Sequence, residues 1–288
     1  MSDPSDTSEK PSKPSAIDDA LSDSGLNAVR SKGRKGKRKL RVVSLNVMIP
    51  NLLTLLALCA GMTAIRFALQ DKFEAAGLAI LVAAILDTLD GRVARLLKGS
   101  TKLGAELDSL SDLVCFGVAP AIVLHLWSLH EVPRFGWVVS LIFACCCALR
   151  LARFNTMLED PNKPAWAAHF FMGTPAPAAA GLALLPMIFS FVAGDDFVRE
   201  PIVVGAVLLS VAFLMVSRFP TFSFKKIRIP SAYVMPTMVG AVGAIACLVS
   251  APWWTLSVLM IVYLITIPYA FWMYQKYERT SAASVPTK

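Results

Sequence analysis

Between Leu86 and Pro120 the chain reads LDTLDGRVARLLKGSTKLGAELDSLSDLVCFGVAP, which sets four aspartates, Asp87, Asp90, Asp108 and Asp112, into two apolar segments joined by a short basic turn. An aspartate near the centre of a bilayer costs about 2.5–3.5 kcal/mol to insert, so four left unneutralised would cost about 10–14 kcal/mol. Residues kept against such a cost are functional by default. Their donor atoms are all oxygens, with no His or Cys alongside, and such a set suits a hard cation, Mg2+ or Mn2+; four carboxylates can hold two of them. Two divalent ions held between facing helices suit phosphoryl transfer, because they polarise phosphate oxygens and stabilise the leaving group. A helix cap at a lone aspartate and a cation path lined by acids are the other uses of such residues.

The elements that position the acids follow from their numbers. If both segments are helices folding back at Lys98–Thr101, residues at equal depth carry numbers that add to a constant. Asp87 with Asp112, Asp90 with Asp108, and Arg95 with Gly104 agree to within one. Gly104, Asp108 and Asp112 lie four apart and so stack on one face of the second helix, while Asp87, Asp90, Gly91 and Ala94 share a face of the first. Gly91, Ala94 and Gly104 remove side-chain bulk beside the acids, which lets a ligand approach the backbone.

The pattern Asp87-x2-Asp90-Gly91-x2-Ala94-Arg95-x8-Gly104-x3-Asp108-x3-Asp112 resembles the signature of the CDP-alcohol phosphatidyltransferases at every motif position. The resemblance implies an enzyme that takes a CDP-activated lipid or alcohol, transfers the phosphatidyl group to a hydroxyl and releases CMP. It implies that the four aspartates hold the metal, that Asp112 takes the proton of the attacking hydroxyl, and that Asp90, Gly91, Ala94, Arg95 and Gly104 meet the CDP-lipid. Asn51 and Thr54, in the run Pro50-Asn51-Leu52-Leu53-Thr54, resemble the family segment whose polar groups help hold the nucleotide. A homodimer is implied in the same way.

Three further stretches, Asp108 to Pro120, LRLARFN at 149–155 and FMGTPAP at 171–177, look like those of the family's integral-membrane phosphatidylserine synthases. They imply CDP-diacylglycerol as donor and L-serine as acceptor. Glycerol phosphate, choline or inositol as acceptor stays open, as does a cation transporter from a different class. Serine is a zwitterion, so its pocket needs a cation for the carboxylate and oxygen for the ammonium. Arg150 and Arg153, three apart on one helix face, with Asn155 beside them, are the candidates. A glycerol phosphate dianion would need several cations, which Lys225, Lys226 and Arg228 could supply.

Composition bounds the rest. With 288 residues, 56% of them hydrophobic, and a mean hydropathy of +0.59, the chain reads as an all-α, polytopic helix bundle in a membrane. The net charge of +8 does not point to nucleic acid, because the basic residues lie in tails and short loops, where topology and anionic membrane lipid call for them. Six cysteines lie in apolar runs without metal-ligand spacing and read as packing residues. The three histidines are scattered without partners.

Three regions follow. Residues 1–41 form a polar tail, expected to be disordered and without a signal peptide, ending in a polybasic strip with eight basic residues between Arg30 and Arg41. Residues 42–275 form the membrane domain and 276–288 a cytoplasmic tail. Val42–Ile49 is expected along the interface, with Pro50 in the first turn of a helix. Eight spans are expected at about 50–69, 73–97, 102–126, 135–154, 174–194, 201–217, 231–250 and 252–273, with seven as the competing count. No internal repeat of the transporter kind is visible. With eight spans, all 28 lysines and arginines except Arg66, Lys72, Arg134 and Arg199 fall on one side, which makes the termini and the acidic hairpin cytoplasmic, at a bacterial inner membrane.

Overall fold

The structure, a computed structural model, describes residues 45–97, 101–158, 170–194, 197–217, 220–222 and 234–283. The tail expected at 1–41, the hairpin turn at 98–100 and the basic cluster of Lys225, Lys226 and Arg228 lie outside them.

The architecture is helical: α1 (Leu45–Ala68), α2 (Phe73–Leu96), α3 (Lys102–Asp112), α4 (Ala119–Trp127), α5 (Pro133–Leu158), α6 (Ala176–Ala193), α7 (Pro201–Val216), α8 (Val234–Ser250) and α9 (Pro252–Ala283). Each expected span finds a helix. Four stretches are long and apolar enough to cross a membrane: Met48–Ala68, Lys102–Trp127, Pro133–Thr156 and Ala176–Ala193; α7, α8 and Pro252–Pro268 are shorter apolar helices. The chain is therefore a multi-pass membrane protein. α2 carries two aspartates and two arginines in its second half, which is why it reads as less apolar than its neighbours.

Three features depart from the expected layout. α1 begins at Leu45 and runs through Pro50, which therefore stands inside the helix rather than in its first turn. The proline forgoes only the bond its own N–H would make to the carbonyl of Asn46, so the helix continues across it, and from Leu45 onward no separate interfacial segment precedes it. α9 stays helical to Ala283, into the stretch read as a tail. A two-stranded antiparallel ribbon also forms, β1 (Phe170–Met172) on β2 (Pro220–Phe222), with Phe171 opposite Thr221. It ties the FMGTPAP run to the chain beyond α7.

Small residues set the helix spacing. Ala57, Ala64 and Ala68 of α1 and Ala76 and Ala83 of α2 are buried, so the two backbones pack closely along most of their length. Between α3 and α4 the helix widens to a π-helical turn over Leu113–Val118. Its Cys115 sits against Gly61 of α1, where a Cβ would come within 2.7 Å of the Cys115 sulfur, and its Gly117 sits against Cys147 of α5. α9 turns one face to the core, with Trp253, Leu256, Met260, Tyr263 and Ile267 spaced three to four apart.

Candidate active site

α2 and α3 bring the acids together as the numbering requires. Carboxylate oxygens of Asp87, Asp90 and Asp108 lie within 4.8 Å of one another, with Asp90 buried and the other two partly so. Asp112, one turn deeper on α3, faces Asp87. One Asp112 oxygen, Oδ1, is buried with no hydrogen-bond partner among the described residues.

The surrounding chain fixes these side chains. Thr101 caps α3, its Oγ1 accepting from the Gly104 N–H at 3.0 Å, so the helix starts at a defined height below Asp108. Thr54 of α1, 5% exposed, donates its hydroxyl to Asp90 Oδ2 at 2.6 Å, with the Pro50 carbonyl at 3.1 Å as a second acceptor. Ser111 Oγ and Cys115 Sγ donate to the α1 carbonyls of Thr54 and Ala57, each at 3.2 Å. α1 is thus bonded on both sides of Asp112, to Ser111 at the end of α3 and to Cys115 in the π-helical turn.

The other sequence candidates divide. Gly104 packs on Asn51: a Cβ there would come 2.8 Å from Asn51 Oδ1, so the two residues meet as a pair beside the acids. A Cβ at Gly91 would meet no atom within 4 Å, which leaves approach room on that side. Ala94 is partly buried on the same helix, and Arg95 Nε donates back to the Gly91 carbonyl at 2.9 Å.

The two arginines of α5 diverge. Arg150 lies close enough to Asp112 for its charge to act on that carboxylate, and its guanidinium is 6.0 Å from the Phe154 ring centroid. Arg153 Nη1 donates to the Val216 carbonyl at the end of α7, at 3.3 Å. Asn155 Nδ2 donates to Ser109 Oγ at 2.9 Å, which places it next to Asp108. Two residues that spacing did not single out also stand near Arg150: Tyr263 of α9 and, beside it, Thr174 ahead of α6. Thr174 lies inside the FMGTPAP run, so its position carried a signal; Tyr263 is one polar tip in an apolar helix and carried none.

An all-oxygen set within 4.8 Å, half-buried and backed by a hydroxyl donor, fits a hard divalent cation. Together with the bundle it defines a membrane protein with a carboxylate cluster, set between two neighbouring helices, that can hold such an ion. Comparison with known proteins gives that class its family. The description CDP-alcohol phosphatidyltransferase matches residues 47–216, and CDP-alcohol phosphatidyltransferase 2 matches residues 232–268. The chain belongs to the CDP-alcohol phosphatidyltransferase family. It is 40% identical over 245 residues to a Mycobacterium tuberculosis protein, covering 84% of this chain and 82% of that one. It is 37% identical over 187 residues to one from Helicobacter pylori (63% and 74%) and 33% identical over 178 residues to one from Bacillus subtilis (62% and 92%). All three relatives bear the name CDP-diacylglycerol--serine O-phosphatidyltransferase.

Proposed function

We propose that this chain transfers the phosphatidyl group of CDP-diacylglycerol to the hydroxyl of L-serine, giving phosphatidylserine and CMP. The observation that carries the reading is the cluster of Asp87, Asp90 and Asp108, with Asp112 hydrogen-bonded to Asp87 and within reach of the Arg150 charge. The serine oxygen bonds to the phosphorus that bears diacylglycerol, the bond from that phosphorus to the CMP oxygen breaks, and Asp112 takes the hydroxyl proton. Asp87, Asp90, Asp108 and Asp112 would hold two divalent ions, Mg2+ or Mn2+, which when bound polarise the diphosphate and stabilise the departing CMP. Thr54 holds Asp90 in place. Asn51, Thr54, Asp90, Gly91, Ala94, Arg95 and Gly104 line the CDP-lipid side, where the open space at Gly91 admits the nucleotide.

The same reading puts the hairpin and both termini on the cytoplasmic side of a bacterial inner membrane, with the polybasic strip on anionic lipid and the protein a homodimer. Its support is the distribution of basic residues and the family resemblance. The test is CMP release from CDP-diacylglycerol by the purified protein with each alcohol in turn. Serine alone should stimulate release and yield phosphatidylserine. Release with glycerol phosphate but not serine would change the acceptor, and no release with any alcohol would favour a cation path.

A further inference from the structure

Among the described residues, six buried side-chain atoms have no hydrogen-bond partner: Asp112 Oδ1, His125 Nδ1, Arg150 Nε, Thr174 Oγ1, Ser257 Oγ and Tyr263 Oη. Buried polar atoms are nearly always paired, so each asks for an explanation, and a group of them in one place asks for a shared one. Four belong to one neighbourhood. The Arg150 guanidinium lies close enough to both Asp112 and Tyr263 for their charges to act on it, and the Tyr263 phenol approaches Thr174. These atoms come from α3, α5, the turn before α6, and α9, so no local helix chemistry accounts for them.

The backbone goes out of its way to place Thr174. Gly173 has φ +79, a conformation that L side chains rarely adopt, and a Cβ on it would lie 2.8 Å from the Met215 carbonyl. β1, held by β2, delivers the chain into this turn, and Thr174 ends 0% exposed. A threonine hydroxyl turned inward by a tightly packed turn, with the Tyr263 phenol as its one hydroxyl neighbour and no well-formed hydrogen bond among the described residues, is poorly explained by packing.

We propose that Thr174 and Tyr263, with Arg150, form the pocket that selects an amino acid as acceptor. Arg150 meets the carboxylate in two-point fashion, the two hydroxyl oxygens accept from the ammonium, and the acceptor's own hydroxyl is left facing Asp112 Oδ1. One guanidinium with two neutral hydroxyls matches a zwitterion, with one cation for one carboxylate and lone pairs for the ammonium; a phosphate dianion could accept from the hydroxyls but would leave one of its charges without a cation. The proposal rests on the serine reading above and adds to it the residues that make the choice.

The experiment compares the full-length wild type with Thr174→Val and Tyr263→Phe, which delete a hydroxyl and keep the shape. Initial rates of CMP release give KM for serine and for CDP-diacylglycerol, and a melting curve in detergent is taken without substrate. The expected result is a rise of about tenfold or more in serine KM in each variant, a CDP-diacylglycerol KM within about twofold, and a melting temperature close to the wild type's. The last point separates binding from structure, because a hydroxyl whose role is only to meet its neighbour across the pair would lower the melting temperature when deleted and leave serine KM where it was. Lower melting temperatures with unchanged serine KM in both variants overturn the pocket while leaving the serine reading intact. A wild type that does not respond to serine overturns the reading first, and the pocket with it.

Discussion

A general base acts only on a hydroxyl it can reach, and Asp112 Oδ1 is buried beside Asp87 with no hydrogen-bond partner among the described residues. Its side chain also meets that of Asp87 in a hydrogen bond, and Arg150 is the cation whose charge acts on it. Asp112→Asn keeps the shape and removes the basicity. Turnover should fall about 10²–10⁴-fold while CDP-diacylglycerol still binds, as measured by CMP release and by equilibrium binding of the nucleotide lipid. Loss of nucleotide binding instead would make Asp112 chiefly a metal ligand. Thr54 supports the cluster from outside it, through the 2.6 Å bond to Asp90. Thr54→Val should raise the Mg2+ or Mn2+ concentration for half-maximal activity about tenfold or more, with turnover recovering at saturating metal. Mn2+ binding followed by electron paramagnetic resonance should shift in parallel, and an unshifted metal titration would detach Thr54 from the metal site.

At the scale of elements, the ribbon and its glycine turn are what bring FMGTPAP to the site. Gly173→Ala adds a Cβ where φ is +79 and a carbonyl stands at 2.8 Å, so it should destabilise the protein by about 1–3 kcal/mol and lower its melting temperature in detergent. Serine KM should rise with it, because Thr174 moves when the turn does. The acidic hairpin was legible in the sequence for a simple reason: both partners are helices adjacent in the chain, so spacing of four and mirrored numbering fix which carboxylates meet. The acceptor side was legible only in part. Arg150 and Arg153 share a face by numbering, yet α7 ends beside Arg153 and its Val216 carbonyl takes that guanidinium, a contact no local pattern announces. Tyr263 depends on how α9 packs against the bundle, more than a hundred residues after Arg150 in the chain. The ribbon was missed because two strands of three residues carry no alternating pattern to detect. Pro50 misled because a proline tolerated one turn into a helix looks the same in sequence as a proline at its start.

At the scale of the whole molecule, the proposed orientation rests on eight crossings, with the basic residues gathered on one side of them. Single cysteines introduced at Ser2 and at Ser284, in a variant lacking the exposed native thiols Cys59, Cys145 and Cys247, should both resist an impermeant reagent applied to intact cells and react after lysis. Labelling of either from outside would invert or break the topology. The number of crossings, on which that sidedness depends, was not readable from the sequence, since α7 and α8 are short and α2 is diluted by its own charges. The two halves of the site also differ in how they are inherited. All four acids sit in one uninterrupted stretch from Asp87 to Asp112, while Arg150, Thr174 and Tyr263 are scattered over three distant elements. Point changes at the scattered positions could therefore retune the alcohol without disturbing the hairpin, and a lineage could diversify its lipids by drift at those sites while passing on the same chemistry intact.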